Sequence, residues 1–319
     1  MSAALKLVHP AEDQDARRWR AVERRDASAD GEFWSCVKTT GVYCPPSCAG
    51  RPHRKNVFFV ERRAEAQAAG FRPCKRCRPD EWIAGALADR IGEVDWSRIR
   101  DDINKHGWAR LGRLLSDEEC AGLIAAYEED ERYRSTVVMR RHGFGEGEYK
   151  YYNTEAPDIV ADLRTTLYER LAPIANGWMR ALGETKPFPA MHDAYRKHCA
   201  RAGQKRLTPL ILKYGPGDYN RLHQDLYGAE VFPLQVAILL SSPGKDFDGG
   251  EFVMTEQTPR RQSRAIVAPM KKGEAIAFAV NDRPVEGAKG VYRVKMRHGV
   301  SELRSGSRYC LGVIFHDAA

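Results

Sequence analysis

The sequence predicts an α+β protein in two parts: a small cysteine-rich domain, then a larger domain that begins in helices and ends in an all-β sandwich or barrel. Three observations carry this reading. Six of the eight cysteines precede residue 125, and four of them form a regular set between Cys44 and Cys77. Helical patterning dominates from Asp80 to about residue 201. After Gln204 the texture changes to short runs rich in β-branched and aromatic residues, punctuated by glycine and proline.

The elements follow in order. The opening MSAALKLVHPAEDQDARRWR has no apolar run of signal-peptide length, so a cytoplasmic chain is expected. In a reducing compartment, clustered cysteines point to metal or catalysis rather than to disulfides. A helix is expected from Asp80 to about Gly92, then a charged segment around Trp96–Lys105. The domain boundary is placed near residue 95, giving domains 1–95 and 96–319. Ser116-Asp-Glu-Glu119 reads as a capping box opening a helix to about Glu131. Residues 157–182 and 190–201 also read as helical. Strands are predicted at 208–214, 234–241, 250–255, 274–280 and 308–315, separated by turn signals such as GPGD and KKG. This spacing predicts a sandwich or barrel.

Composition narrows the function classes. The chain has 319 residues, of which 43% are apolar, which excludes a disordered protein. No uninterrupted apolar run reaches about 18 residues, so no membrane span is expected. A net charge of +8 favours a polyanionic partner.

Cys44, Cys48, Cys74 and Cys77 are spaced C-x3-C-x25-C-x2-C. Two close pairs joined by a loop can close a tetrahedral zinc(II) site, and a small domain needs such a staple. Cys36, Cys120, Cys199 and Cys310 fall outside the pattern and are expected to be small buried residues. From Cys36 to Trp82 ten Lys/Arg face only four acids. Lys38, Arg51, Arg72, Lys75 and Arg76 flank the metal-binding pairs and are the candidates for phosphate contact.

In the β-rich half, His223-Gln-Asp225 is followed 72 intervening residues later by His298. Two histidines and a carboxylate can hold iron(II) on one face and leave positions open for a co-substrate and oxygen. Arg308 comes ten residues past His298. A buried arginine there can grip the far carboxylate of 2-oxoglutarate with paired hydrogen bonds. Tyr214 and Asn220 are candidates to help position it. The segment from Met139 to Tyr152 reads as a glycine-hinged loop with basic and aromatic side chains, among them Arg140, Arg141 and Tyr149. Such side chains can stack on a base and hold phosphates. Arg260 and Arg261, with Arg264, form a second basic cluster.

Two resemblances sharpen these readings. The stretches DGEFWSCVKTTGVYCPPSC and NVFFVERRAEAQAAGFRPCKRCRPDE resemble the metal-binding domain of Ada-type DNA alkylation-repair proteins, over roughly residues 18–82. In that family the first cysteine of the set, here Cys44, accepts a methyl group from a methylphosphotriester in DNA. The resemblance thus implies that Cys44 is a methyl acceptor at the exposed corner of the site. Pro45 stands where the family has an arginine, and Ala49-Gly50-Arg51 where it has an Arg-x-Arg-like segment, which implies weaker phosphate docking. The helix-turn-helix and methyltransferase domains of full Ada do not follow the module in this sequence.

From about residue 97 onward, GWARLGRLLS, AGQKRLTPLILKYGPGDYNRLHQDLYG, GGEFVMTEQTPRRQSR and MRHGVS with GSRYCLGVIFHDA resemble a bacterial 2-oxoglutarate/iron(II) oxygenase family. That family is assigned to oxidative demethylation of damaged nucleic acid. The resemblance implies a double-stranded β-helix, or jelly roll, with packed N-terminal helices. It also implies Fe(II), 2-oxoglutarate and O2 as cofactor and co-substrates, and release of a base's methyl group as formaldehyde. DNA, single- or double-stranded, is the expected partner, with RNA as an alternative. The same iron motifs resemble prolyl hydroxylases, so a protein or small-molecule hydroxylase is one rival reading. A non-enzymatic damage sensor is the other.

Overall fold

A computed structural model describes residues 10–26, 29–30, 33–60, 63–288 and 290–319. Its contacts divide the chain into two units, residues 1–88 with 157–159, and residues 89–156 with 160–319.

The first unit is built on a small sheet. After α1 (Pro10–Arg24) come β1 (Trp34–Val37), β2 (Val42–Cys44), β3 (Val57–Val60), α2 (Arg63–Ala68), β4 (Arg72–Pro73) and the start of α3 (Pro79–Gly92). The strand order is β3-β1-β2-β4, with β4 parallel to β2 and the other pairs antiparallel. Trp34, Cys36, Tyr43 and Ala66 form its centre; Phe58 and Phe71 pack against them and meet each other edge to face at 5.2 Å. Few side chains share this core. At about 1.5–3 kcal/mol for each large apolar group buried, it is thin.

The second unit begins in helices. The charged segment after residue 95 is a helix, α4 (Trp96–His106). Asp95 caps it by accepting the Arg98 N–H at 3.0 Å, and Gly107 ends it in the left-handed region at φ 78. Its buried residues Ile99 and Ile103 lie four apart and pack it against the barrel edge. Next come β5 (Trp108–Arg113) and α5 (Asp117–Ala125). The capping box forms as expected, with Ser116 Oγ accepting the Glu119 N–H and Glu119 accepting the Ser116 N–H at 2.7 Å. The helix stops at Ala125 instead of about 131, continuing only as two single 3-10 turns. Then follow β6 (Tyr133–Val138), β7 (Gly145–Glu146), β8 (Glu148–Tyr152), α6 (Asp158–Ala181) and α7 (His192–Arg201). Tyr168 of α6 stacks on Tyr195 of α7 at 5.3 Å, and both rings meet Phe232. This aromatic cluster fixes the helices to the strands. No described helix is long and apolar enough to cross a membrane.

The remaining strands are β9 (Leu210–Tyr214), β10 (Tyr219–His223), β11 (Leu234–Leu239), β12 (Phe247–Gly249), β13 (Phe252–Gln257), β14 (Arg264–Ala268), β15 (Glu274–Ala279), β16 (Asp282–Gly287), β17 (Gly290–Val300), β18 (Leu303–Gly306) and β19 (Arg308–Val313). β12 and β18 pair with each other, and the rest join two facing sheets, β5-β15-β11-β19-β9-β8-β6 and β14-β13-β17-β10-β7, with β16 on β17. Within these, β15-β11-β19-β9 faces β14-β13-β17-β10. Strands taken in chain order cross between the two sheets, which is the wiring of a double-stranded β-helix. The expected fold class is therefore present. The central strands are largely apolar, and every residue of β11 is buried. The core between the sheets is closed by Phe247, Phe252, Met254, Met270 and Phe278.

Candidate metal centres and active-site cavity

The four cysteines converge although 25 residues separate their two pairs. Cys44 ends β2. Cys48 follows in a turn closed by its N–H donating to the Pro45 carbonyl at 3.1 Å, and Asp30 steadies that turn by accepting the Ser47 N–H at 2.9 Å. Cys74 follows β4 and donates its N–H to the Tyr43 carbonyl; Cys77 lies one turn on. All four sulfurs sit within 4.8 Å of one another. A tetrahedron of Zn–S bonds of about 2.3 Å has edges of about 3.8 Å, so the set fits zinc with little movement. The sulfurs share protons. Hydrogen bonds with Cys48 and Cys77 push the Cys44 thiol up, and bonds from Cys44 and Cys77 push Cys48 down. These are two ends of one effect.

One expectation fails here. Cys44 is not at an exposed corner: it is 6% exposed, whereas Cys74 and Cys77 are half-buried. The reason is topological, because β2 runs between β1 and β4. The basic residues around the module, Lys38, Arg51, Arg72, Lys75 and Arg76, are all exposed.

The second cluster assembles across the smaller barrel sheet. His223 closes β10 and pairs directly with His298 on β17. Asn220 pairs with Val300, so three steps along β10 match two along β17. This is a β-bulge, and it turns both Asn220 and His223 into the same cavity, which a regular strand cannot do at an odd spacing. Asp225 lies just beyond. Its Oδ1 is 3.5 Å from His223 Nε2 and its Oδ2 is 3.4 Å from His298 Nε2. One ligand atom from each residue lies within 4.8 Å of the others. The Arg221 carbonyl is 2.7 Å from His223 Nδ1, which places the proton there and leaves the Nε2 lone pair facing the cluster. Burial would raise the Asp225 carboxyl, but hydrogen bonding from His298 and the charge of both imidazoles hold it below the usual carboxylate range. His223 is lowered by burial and by its neighbour His298. Phe278 and Phe252 cover the His298 ring at 4.7 and 5.9 Å.

Arg308 opens β19 at 1% exposure. Among the described residues its Nε and Nη1 have no hydrogen-bond partner. Its guanidinium lies over the Tyr214 ring at 5.5 Å, and Asn220 Nδ2 donates to Tyr214 Oη at 3.4 Å. Arg308, Tyr214, Asn220 and the His223–Asp225–His298 cluster all line one cavity between the sheets. An unpaired buried guanidinium is costly, so a cavity that leaves its donors open fits a carboxylate ligand.

Other candidates are placed differently from expectation. Residues 139–152 do not form one hinged loop. Residues 148–152 are β8, where Tyr151 and Tyr152 are buried and Lys150, 6% exposed, bonds to Asp130 and to the Tyr127 carbonyl. Bonds to the Tyr127 carbonyl and to the exposed Asp130 carboxylate let this lysine sit in a sheet, which hid the strand. Tyr149 lines the cavity and is not on an outer face. Only the turn before β7 is exposed; it carries Arg140, bonded to Glu146 at 2.6 Å, and Arg141. Arg260 and Arg261 are exposed on the turn joining β13 and β14.

The sequence reading missed two residues. Tyr227 Oη donates to Asp225 Oδ1 at 2.7 Å. Gln235 lines the cavity from β11. A single glutamine inside the otherwise apolar run LQVAIL was the available signal for the latter.

Comparison with known proteins gives two family matches. A model described as an oxygenase catalysing oxidative methylation of damaged DNA covers residues 147–318. The metal-binding domain of Ada covers residues 17–80. A Mycobacterium tuberculosis relative, titled only as an uncharacterized protein, is 48% identical over 190 residues, 60% of this chain and 79% of that one. Escherichia coli Ada, a bifunctional transcriptional activator and DNA repair enzyme, is 49% identical over 81 residues, 25% of this chain and 22% of Ada. Among solved structures, the E. coli Ada domain for DNA methyl phosphotriester repair is 50% identical and covers 25% of this chain and 83% of its own, with a TM-score of 0.20. A Pseudomonas putida prolyl-4-hydroxylase is 14% identical over 70% of this chain and all of its own, at a TM-score of 0.43. The chain therefore belongs to the family of oxygenases acting on damaged DNA, and it carries the metal-binding domain of Ada ahead of the oxygenase.

Proposed function

We propose that this protein is an iron(II)- and 2-oxoglutarate-dependent dioxygenase that demethylates alkylated bases in DNA and releases formaldehyde. The observation that carries it is Arg308: a buried cation with two open donors, in the same cavity as two histidines and a carboxylate. His223, Asp225 and His298 would hold the iron. Arg308 would bind the distal carboxylate of 2-oxoglutarate, with Tyr214 and Asn220 beside it. When bound, iron(II) and 2-oxoglutarate would let O2 act as the oxidant, one oxygen atom leaving in succinate as 2-oxoglutarate loses CO2 and the other turning a methyl C–H into C–OH.

The chain's own part is binding, orientation and exclusion of water. The His223 Nδ1 bond to the Arg221 carbonyl aims one imidazole. Phe252, Phe278 and Val300 keep the cavity wall apolar beside the histidines. A hydroxymethyl group on nitrogen collapses without a protein base, so none is assigned. A base within a duplex cannot reach such a cavity, so it would enter flipped out or from a single strand.

Residues 1–95 would form the docking domain and 96–319 the oxygenase. Cys44, Cys48, Cys74 and Cys77 would hold zinc, while Lys38, Arg51, Arg72, Lys75 and Arg76 meet phosphates. Cys44 is the candidate methyl acceptor by family resemblance alone, since its burial argues against easy access.

The test is a panel of methylated oligonucleotides incubated with iron(II) and 2-oxoglutarate, read by mass spectrometry for loss of one methyl group and by succinate and formaldehyde release. Arg308→Ala should raise the 2-oxoglutarate requirement about 100-fold, the worth of a buried charge-assisted pair, while iron stays bound. Succinate release that no alkylated base stimulates, or a variant with an unaltered requirement, would overturn the proposal.

A further inference from the structure

The cavity holds open hydrogen-bonding groups of opposite kinds on two neighbouring strands. On β19, Arg308 offers unpartnered donors. On β11, Gln235 is 5% exposed, lines the same cavity, and its Oε1 has no hydrogen-bond partner among the described residues. Gln235 pairs in register with Phe278 of β15, and the Phe278 ring lies 4.7 Å from the ring of His298. The open acceptor therefore belongs to the metal end of the cavity.

A buried acceptor left unpaired costs about 1–3 kcal/mol and calls for an explanation. The co-substrate cannot supply the missing partner. At neutral pH 2-oxoglutarate has two carboxylates and a ketone, all acceptors, and no N–H or O–H to donate. Of the two molecules the cavity would bind, only the one being oxidised can carry an N–H donor.

We infer that Gln235 is a specificity-determining residue whose Oε1 accepts a hydrogen bond from an N–H of the substrate base, selecting alkylated bases that carry an exocyclic amine beside the methylated nitrogen. This rests on the proposed demethylation. A carboxamide suits the task because its planar edge meets the planar edge of a base. A site built to bond an N–H discriminates strongly against an analogue without one, because the buried acceptor is then stranded.

The full-length protein with iron(II) and 2-oxoglutarate is given single-stranded oligonucleotides, each with one methylated base. Ring-N-methylated adenine and cytosine present the amine; ring-N-methylated thymine does not. The wild type should prefer the amine-bearing bases by roughly 10- to 100-fold in kcat/KM, about one buried hydrogen bond. Gln235→Met, of similar length and apolar, should collapse that preference mainly through loss on the amine-bearing bases. Gln235→Glu, which keeps an acceptor, should retain it. If the wild type shows no preference, or if Gln235→Met lowers all bases equally, the assignment is overturned. A raised KM for 2-oxoglutarate in Gln235→Met also overturns it, by placing the residue on the co-substrate. A wild type that demethylates none of these bases fails the proposed function itself, and the inference with it.

Discussion

The four-cysteine cluster and the His223–Asp225–His298 cluster differ in what holds their ligands in place. The cysteines sit at the ends of two- and three-residue strands and in turns, around a core of a few side chains. Little but a bound ion would keep four sulfurs of like charge together. The histidines sit on strands of a large sandwich, and their positions are set by backbone pairing across β10 and β17. In the first case the metal would make the fold; in the second the fold makes the metal site.

The largest test of that contrast is Cys48→Ser. Structural zinc is worth on the order of 10 kcal/mol, so zinc content should fall and residues 1–88 should become protease-sensitive. Succinate formation by the barrel should persist; its loss would mean that the two regions stand or fall together. Asp225→Ala is the mirror experiment. Iron binding and succinate formation should drop by roughly three orders of magnitude, because the facial set loses its only charge. The melting profile should hold, and a collapsed fold would show the barrel leaning on its site.

Acid sharpens the contrast further. His192 and His316 are buried, and burial lowers them to about 3 and about 4. In the unfolded chain both take a proton near pH 6.5, at about 1.4 kcal/mol per pH unit each. The unfolded state binds more protons across that window, so stability falls as pH drops. Between pH 8 and pH 5 the barrel should lose roughly 4 kcal/mol, read from denaturant midpoints. An equal midpoint at both values would contradict this. The smallest effect is Tyr227→Phe. Tyr227 occupies Asp225 Oδ1 and leaves Oδ2 for a metal. Its loss should weaken cobalt(II) or manganese(II) binding about 10-fold, and an unaltered titration would remove Tyr227 from the site.

Legibility in the sequence follows the same division. The cysteine set shows by spacing alone, because its ligands are local. The histidine set needs strand order as well, and Arg308 supplied it. Strands β9, β11, β13, β15 and β19 stood out because apolar side chains fill them. By contrast β10, β14, β16 and β17 were missed. None of them is an apolar run: β10, β14 and β16 are largely half-buried or exposed, and β17, GVYRVKMRHGV, alternates charge with apolar residues because one face meets the core and the other is exposed. The β17 burial pattern alternates as a half-buried strand should, but its lysines and arginines masked it. Tyr227 could not be found, because one tyrosine near a ligand carries no pattern.

The bulge between Asn220 and His223 acts as a parity device. Regular strands sort residues into odd and even, one class inward and one outward. Here a single extra residue changes the count midway, so that Asn220 and His223, of opposite parity, face one chamber. The site is thus sensitive to arithmetic as well as to chemistry. Adding one residue to β17 between His298 and Val300 would keep every candidate ligand in the sequence and restore regular pairing, three steps against three, yet it would turn Asn220 and His223 to opposite faces. Substitution scans change letters and leave the count alone, so they pass over this vulnerability entirely.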